Sequence, residues 1–199
     1  MYVYVKRAFD IFVVVIFSPL WLPVMIVLSV IVKLTSPGKI FFTQKRYGKN
    51  LEFFQIYKFR SMYSDAPKDV PTHLLQNPQA LITPVGRFLR KSSLDELPQL
   101  INILKGELSL VGPRPALWNQ DDLIAVRKKY NANNIPVGLT GLAQISGRDE
   151  LPIEQKAALD GEYAKKMGFW LDIKILFKTA LCAVVGKGVQ EGGTSEHED

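Results

Sequence analysis

The stretch from Ile11 to Val32 carries no formal charge, and at about 22 residues it reaches the ~20 that a helix needs to cross a bilayer. It is too long for the apolar part of a signal peptide, and no small-residue cleavage site follows it. A buried core helix is the duller reading, disfavoured because the run is apolar on every face. Ser18-Pro19 sits near the middle and Pro23 one turn later. Proline removes a backbone donor and its ring collides with the carbonyl four residues back, so a kink or break is expected there. Lys6 and Arg7 precede the run, while Lys33, Lys39, Lys45 and Arg46 follow it. Positive charge marks the cytoplasmic side of a membrane segment, and a straight span would put one basic cluster on the wrong side. The expected arrangement is a re-entrant helix hairpin over residues 1–36, both ends cytoplasmic. Backbone groups freed at the bend then need Ser18 or packed protein as partners.

The chain of 199 residues is 47% apolar, enough for one core, and shows no internal repeat or linker. A single domain over 1–190 is expected, followed by a disordered acidic tail over 191–199. The net charge of +6 calls for anionic company: phosphates, an acidic membrane surface or nucleic acid. Cys182 is the only cysteine, which excludes an intramolecular disulfide. With His73 and His197 as the only histidines, a four-ligand zinc site lacks donors. A metal here would be a hard cation on carboxylates, such as Mg²⁺.

Local patterns give an α+β, mostly helical fold. Residues 40–43 and 53–59 read as a short β-hairpin turning at Gly48–Asn50. Residues 65–84, with Pro67, Pro71, Pro78 and Pro84, read as a loop and a candidate lid. Pro98 to Lys105 reads as a helix with Leu100, Ile101 and Leu104 on one face and Gly106 as its stop. Residues 109–115 read as irregular, because Pro113 and Pro115 bracket Arg114. Residues 119–130 and 152–167 read as amphipathic helices, and 169–185 as a helix that suits a membrane surface or an ordinary core equally well. Interfacial helices around a cytosol-facing active site complete the expected architecture.

The densest polar constellation runs from Arg87 to Arg114 and includes Arg90, Lys91, Asp95, Glu96, Gln99 and Asn102. Two adjacent carboxylates among guanidinium groups suit a diphosphate and Mg²⁺ held together. Spacing alone favours a plainer reading, since Ser93-Leu94-Asp95-Glu96 matches a helix capping box. Pro98 opposes it, because a cap at Ser93 would place that proline past the first turn. A helix beginning near Pro98 instead leaves both carboxylates at its mouth, by the positive end of its dipole.

The stretch GRFLRKSSLDELPQLINILKGELSLVGPRP, residues 86–115, resembles the core motif of the bacterial sugar transferases, the monotopic phosphoglycosyl transferases. KRAFD (6–10), YKFRSM (57–62), GLTGLAQISGR (138–148) and LDIK (171–174) resemble further blocks of that family, in family order. In length the chain is similar to its small members, such as the transferase that initiates bacterial N-linked glycans. The resemblance implies that Asp95 is the nucleophile, attacking the β-phosphate of a UDP-sugar, expelling UMP and carrying the phosphosugar. Polyprenyl (undecaprenyl) phosphate then takes the phosphosugar, in the first membrane step of polysaccharide or other glycan synthesis. It implies Mg²⁺ at Asp95, with Glu96 as the partner in the dyad. Arg90 and Arg114 match positions near substrate phosphates, and Lys58, Arg148 and Asp172 match further polar positions around the site. Ser18-Pro19 aligns with the family's helix-breaking pair, which implies a monotopic seat among phospholipids on the cytosolic face of the bacterial inner membrane. Two positions depart from the pattern: Pro136-Val137-Gly138 replaces the usual Arg-Pro-Gly, and Gly168 stands where serine is common.

Two other classes compete. A membrane-anchored module for anionic lipids fits the composition, but paired carboxylates within the basic centre would weaken such binding. Basic residues among Phe53, Phe54, Tyr57 and Phe59 could stack on nucleic acid; the bilayer-length segment and the lack of a nucleic-acid motif argue against it.

Overall fold

The computed structural model describes residues 2–67, 77–147 and 151–185. Arg148, residues 68–76 of the candidate lid expected over 65–84, and the acidic tail lie outside the described residues. Helix α1 (Tyr2–Ile16) ends at Phe17, and helix α2 (Ser18–Thr35) begins at once, so the chain breaks one residue before Ser18-Pro19. Pro19 falls in the first turn of α2, where a missing N–H costs nothing. Pro23 is carried inside the continuous helix. The Trp21 indole donates to the Val14 carbonyl at 2.8 Å, so a packed side chain, one of the two expected partners, serves a backbone group near the bend. The segment Ser18–Thr35 is long and apolar enough to cross a membrane, with 17% of it buried.

Both helices bury one stripe and leave the rest bare. In α1 the buried residues are Lys6, Asp10 and Val14; in α2 they are Met25, Leu28 and Val32. Spacings of three and four residues put each set on one helical face. Phe12, Val15, Phe17, Leu20, Ile26, Val27 and Leu34 stand between 53% and 80% exposed. Water does not tolerate so large an apolar surface on an isolated soluble chain.

Strands β1 (Phe41–Tyr47) and β2 (Phe53–Phe59) form the antiparallel hairpin, registered Phe42 to Lys58 and Thr43 to Tyr57. Phe54 and Ile56 join a core with Val14, Ile103, Val137 and Ile175, while Phe59 joins a second core with Met25, Leu28, Val32 and Leu89. β1 runs on to Tyr47, past the expected Thr43, because Lys45 and Arg46 pair with Gln55 and Phe54 across the ladder.

Short helices α3 (Pro78–Leu81) and α4 (Pro84–Lys91) follow. Each opens on a proline, which the loop reading of 65–84 took only as a breaker. Thr83 caps α4 by accepting from the Gly86 N–H at 2.9 Å. A tight 3-10 turn, Leu94–Glu96, leads to α5 (Gln99–Lys105), which ends at Gly106 with φ +87°. The buried face of α5 is Gln99, Asn102 and Ile103, and Leu104 is exposed, so the expected apolar face is rotated. Asn102 explains the rotation. Its side chain accepts from the Tyr57 N–H at 3.0 Å and donates to the Gln55 carbonyl at 2.8 Å, clamping α5 to β2.

Residues 109–115 are less irregular than expected. β3 (Ser109–Val111) pairs in parallel with β4 (Gly138–Thr140), flanked by α6 (Asp121–Lys129) and α7 (Leu142–Ser146). Val137 is buried in the core and its carbonyl accepts from Ser109 N–H at 2.9 Å, so the departure at 136–138 falls on a packing position. Helices α8 (Ile153–Lys166) and α9 (Phe169–Val185) close the fold, and Phe169, Trp170, Phe177 and Leu181 of α9 are exposed.

Both ends of the apolar segment are fixed to one body. Lys6 meets Asp172 of α9 at 2.6 Å. The Arg7 guanidinium donates to the carbonyls of Ile103 and Leu104 at the end of α5, the termination that a helix's last carbonyls accept well. At the other end Arg60 donates to the carbonyls of Ser36 and Pro37, each at 2.6 Å.

Candidate active site

Asp95 and Glu96 lie in the 3-10 turn, just before α5. Ser93 precedes them in the left-handed region at φ 56°, and its side chain makes no capping hydrogen bond. The capping box that spacing favoured does not form. The irregular entry answers the objection that neighbouring residues on a regular helix face apart.

Glu96 Oε1 accepts from Lys58 Nζ at 2.7 Å and from an Arg114 terminal nitrogen at 3.0 Å. Asp95 is 8% exposed, with Lys58 Nζ at 4.0 Å from its Oδ2. Burial pushes the Asp95 carboxyl above the usual aspartate range. Lys58 pulls it back, the Glu96 charge raises it again, and Arg90 and Arg114 lower it. Burial would also raise Glu96, but the charges of Lys58 and Arg114 and their hydrogen bonds outweigh it, and Glu96 is held well below the glutamate range. The pair is therefore divided: Glu96 is a fixed anion between two cations, and Asp95 is a desolvated carboxyl facing less compensation.

Each cation reaches the turn from a different element. Lys58 stands on β2, held against α5 by Asn102. Arg114 leaves the loop after β3, and its own carbonyl accepts from Arg127 at 3.0 Å. Arg127 is itself paired with Asp160 at 2.7 Å. Arg90, from α4, donates through Nε to Ser61 Oγ at 2.8 Å. Sequence reasoning missed Ser61, whose only signal was its place in KFRSM.

α4 approaches Ser61 so closely that a Cβ on Gly86 would overlap the Ser61 carbonyl. Gly86→Ala is expected to cost about 2 kcal/mol or more by forcing this backbone apart and to swing Arg90 off Ser61. A chemical-denaturation midpoint within error of the parent would show that the approach is not needed.

Asp172 lies elsewhere. It is 1% exposed and takes Lys6 Nζ and the Tyr2 hydroxyl on Oδ2 and the Tyr163 hydroxyl on Oδ1, at 2.6–2.7 Å. The same root of α1 carries Asp10, which accepts from Ser109 Oγ at 2.6 Å and Leu110 N–H at 3.2 Å. This cluster supports β3, whose exit leads to Arg114, so the structure connects Asp172 to the site through backbone.

For Mg²⁺ the donor set fits in one way. Among the described residues no group of three or more metal-ligating side chains converges, and Glu96 already holds two cations through one oxygen. Asp95 and the remaining Glu96 oxygen are hard donors, which suits an ion that takes one or two carboxylates and fills its shell with water and substrate phosphates.

The fold and site thus define a class: an apolar helix pair rooted beside a buried carboxylate dyad ringed by Lys58, Arg90 and Arg114. Residues 1–186 match the bacterial sugar transferase family. The chain is 37% identical over 198 residues to the UDP-N-acetylgalactosamine-undecaprenyl-phosphate N-acetylgalactosaminephosphotransferase of Aeromonas hydrophila, covering 96% of this chain and 46% of that protein. It is 40% identical over 189 residues to the UDP-glucose:undecaprenyl-phosphate glucose-1-phosphate transferase of Escherichia coli (strain K12), covering 92% and 40%. With the uncharacterized sugar transferase EpsL of Bacillus subtilis (strain 168) it shares 40% over 187 residues, covering 94% and 90%. The chain therefore spans less than half of the first two relatives and most of the third. It belongs to the bacterial sugar transferase family.

Proposed function

We propose that this chain moves a sugar 1-phosphate from a UDP-sugar to polyprenyl phosphate, releasing UMP, with Asp95 as the covalent carrier. The observation that carries this reading is the division of labour between the two carboxylates. Glu96 spends its charge on Lys58 and Arg114 and so fixes two cations beside Asp95, the one acid left able to react. An oxygen of Asp95 bonds to the β-phosphorus while the bond to the bridging oxygen breaks, and UMP leaves with that electron pair. An oxygen of polyprenyl phosphate then attacks the same phosphorus, and the electron pair returns to Asp95. Splitting one displacement between two anions into two steps lowers each barrier, and Lys58, Arg90 and Arg114 meet charge on the phosphoryl oxygens. Asp95, with Glu96 beside it, would hold Mg²⁺, which when bound supplies charge neutralisation at the diphosphate.

The membrane seat follows from the apolar helix pair. Its two basic flanks are rooted in the same body, through Lys6 and Arg7 at one end and Arg60 at the other, which supports a hairpin that dips into the cytosolic leaflet and returns. The relatives' names support undecaprenyl phosphate as acceptor and a UDP-sugar as donor.

Detergent-solubilised protein given UDP-sugar and Mg²⁺ without acceptor should release UMP and gain the mass of one phosphosugar on Asp95. That mass on any other residue overturns the assignment. Because Asp95 must be ionised to attack, activity is expected to rise with pH through its elevated pKa. Arg90→Gln removes a charge that lowers that pKa, so the acid limb of UMP release against pH should move to higher pH. A lower plateau with an unmoved limb would mean that Arg90 acts on binding alone.

A further inference from the structure

On the far side of the β-hairpin from Lys58, a cavity of about 690 Å³ opens at the foot of α2. Its floor is Ile40 and Phe41, and Lys33, Lys39, Thr43 and Tyr57 stand around it. The register pairs Thr43 with Tyr57 and Phe42 with Lys58. Side chains alternate along a strand, so Thr43 and Tyr57 at the groove stand on the opposite face of the sheet from Lys58.

We propose that this groove binds the headgroup phosphate of an anionic phospholipid. Three features point to that occupant. The first is charge: among the described lining residues two ammonium groups and two hydroxyls surround the cavity and none is an acid, and Lys105, itself paired with Glu107 at 3.4 Å, donates to the Tyr57 hydroxyl at 3.1 Å. The second is the apolar floor, which suits glycerol and the first methylenes of an acyl chain and would gain nothing from a free phosphate. The third is position. Lys33 sits in the last turn of α2, on the same helical face as the bare Ile26 and Val30 above it, so an acyl chain leaving the groove has an exposed apolar track to follow. A lipid held there ties the foot of α2 to the hairpin that carries Lys58 and so fixes the depth of the site. This inference rests on the membrane-seated reading above; it does not require the covalent mechanism.

The test uses the full chain in vesicles of phosphatidylcholine containing a minority of phosphatidylglycerol. After gentle detergent extraction, the ratio of the two lipids retained on the protein is read by mass spectrometry. The parent should retain phosphatidylglycerol well above its bulk share. With each juxtamembrane lysine contributing on the order of fivefold, Lys33→Gln/Lys39→Gln should lower the enrichment by roughly tenfold or more. Lys128→Gln/Lys129→Gln, an equal charge change on exposed residues of α6, should keep it. UMP release in pure phosphatidylcholine should be unchanged in both variants, which shows that each is folded. Equal losses in the two double variants would reduce the effect to net charge and overturn the site, as would full retention in the Lys33/Lys39 variant. Displacement of phosphatidylglycerol by stoichiometric polyprenyl phosphate would overturn it in favour of acceptor docking. A parent that fails to enter vesicles overturns both this inference and the membrane seat, whereas an adduct missing from Asp95 touches only the mechanism.

Discussion

Asp95→Asn is expected to lower UMP release by about 10⁴-fold or more, the scale of losing a covalent nucleophile, and to abolish the phosphosugar adduct. Asparagine matches the shape of the aspartate but its amide does not attack phosphorus at a useful rate. Unfolding would be the trivial cause of lost activity, and here the physics runs the other way. Burial disfavours the Asp95 charge strongly enough to raise its pKa, so a neutral side chain of equal size relieves a desolvation cost. The thermal midpoint should hold or rise while turnover disappears. Retained turnover with an intact adduct would remove Asp95 from the chemistry. A fallen midpoint would instead assign it a structural role.

The second large effect lies at the root of α1. Lys6→Met removes the ammonium that meets Asp172 at 2.6 Å, with the two groups 2% and 1% exposed. Breaking a buried pair from one side strands the other charge, at about 3–5 kcal/mol. The hydroxyls of Tyr2 and Tyr163 still solvate Asp172, so the lower end applies, about 10 °C in thermal midpoint for a chain of this size. Lys6→Met/Asp172→Asn should recover part of the loss, because no charge is then stranded. Turnover should fall with the single change, since the neighbouring Arg7 terminates α5 and α5 begins just after the dyad. A midpoint shift under about 2 °C would show that the pair is solvated well enough to be dispensable.

Much of this was legible in the residues themselves. A bilayer-length apolar run with Ser18-Pro19 inside it foretold two helices in place of one, because a proline's lost donor and its ring act locally whatever the surroundings. Gly106 stopped α5 for an equally local reason. The residues around Asp95 were also legible as a group, since a dense mix of carboxylates and guanidinium groups in a chain this apolar has few structural uses.

Partnerships across distance were not. Ser93 held a capping spacing and did not cap, because Pro98 moved the helix start beyond it. The buried face of α5 turned from its leucines to Asn102, since a buried amide that satisfies two backbone groups of β2 outweighs the small gain from Leu104. Lys6, a flanking charge by sequence, is one of the most buried residues in the protein, and its partner Asp172 stands on the last helix.

Local chemistry is written along the chain: proline and glycine set breaks, hydropathy sets the medium, and charge density marks the site. Which carboxylate is neutralised and which stays poised was decided only when β2 and the loop after β3 brought Lys58 and Arg114 onto Glu96. Electrostatic energy depends on distances through space, and those exist only in the folded chain.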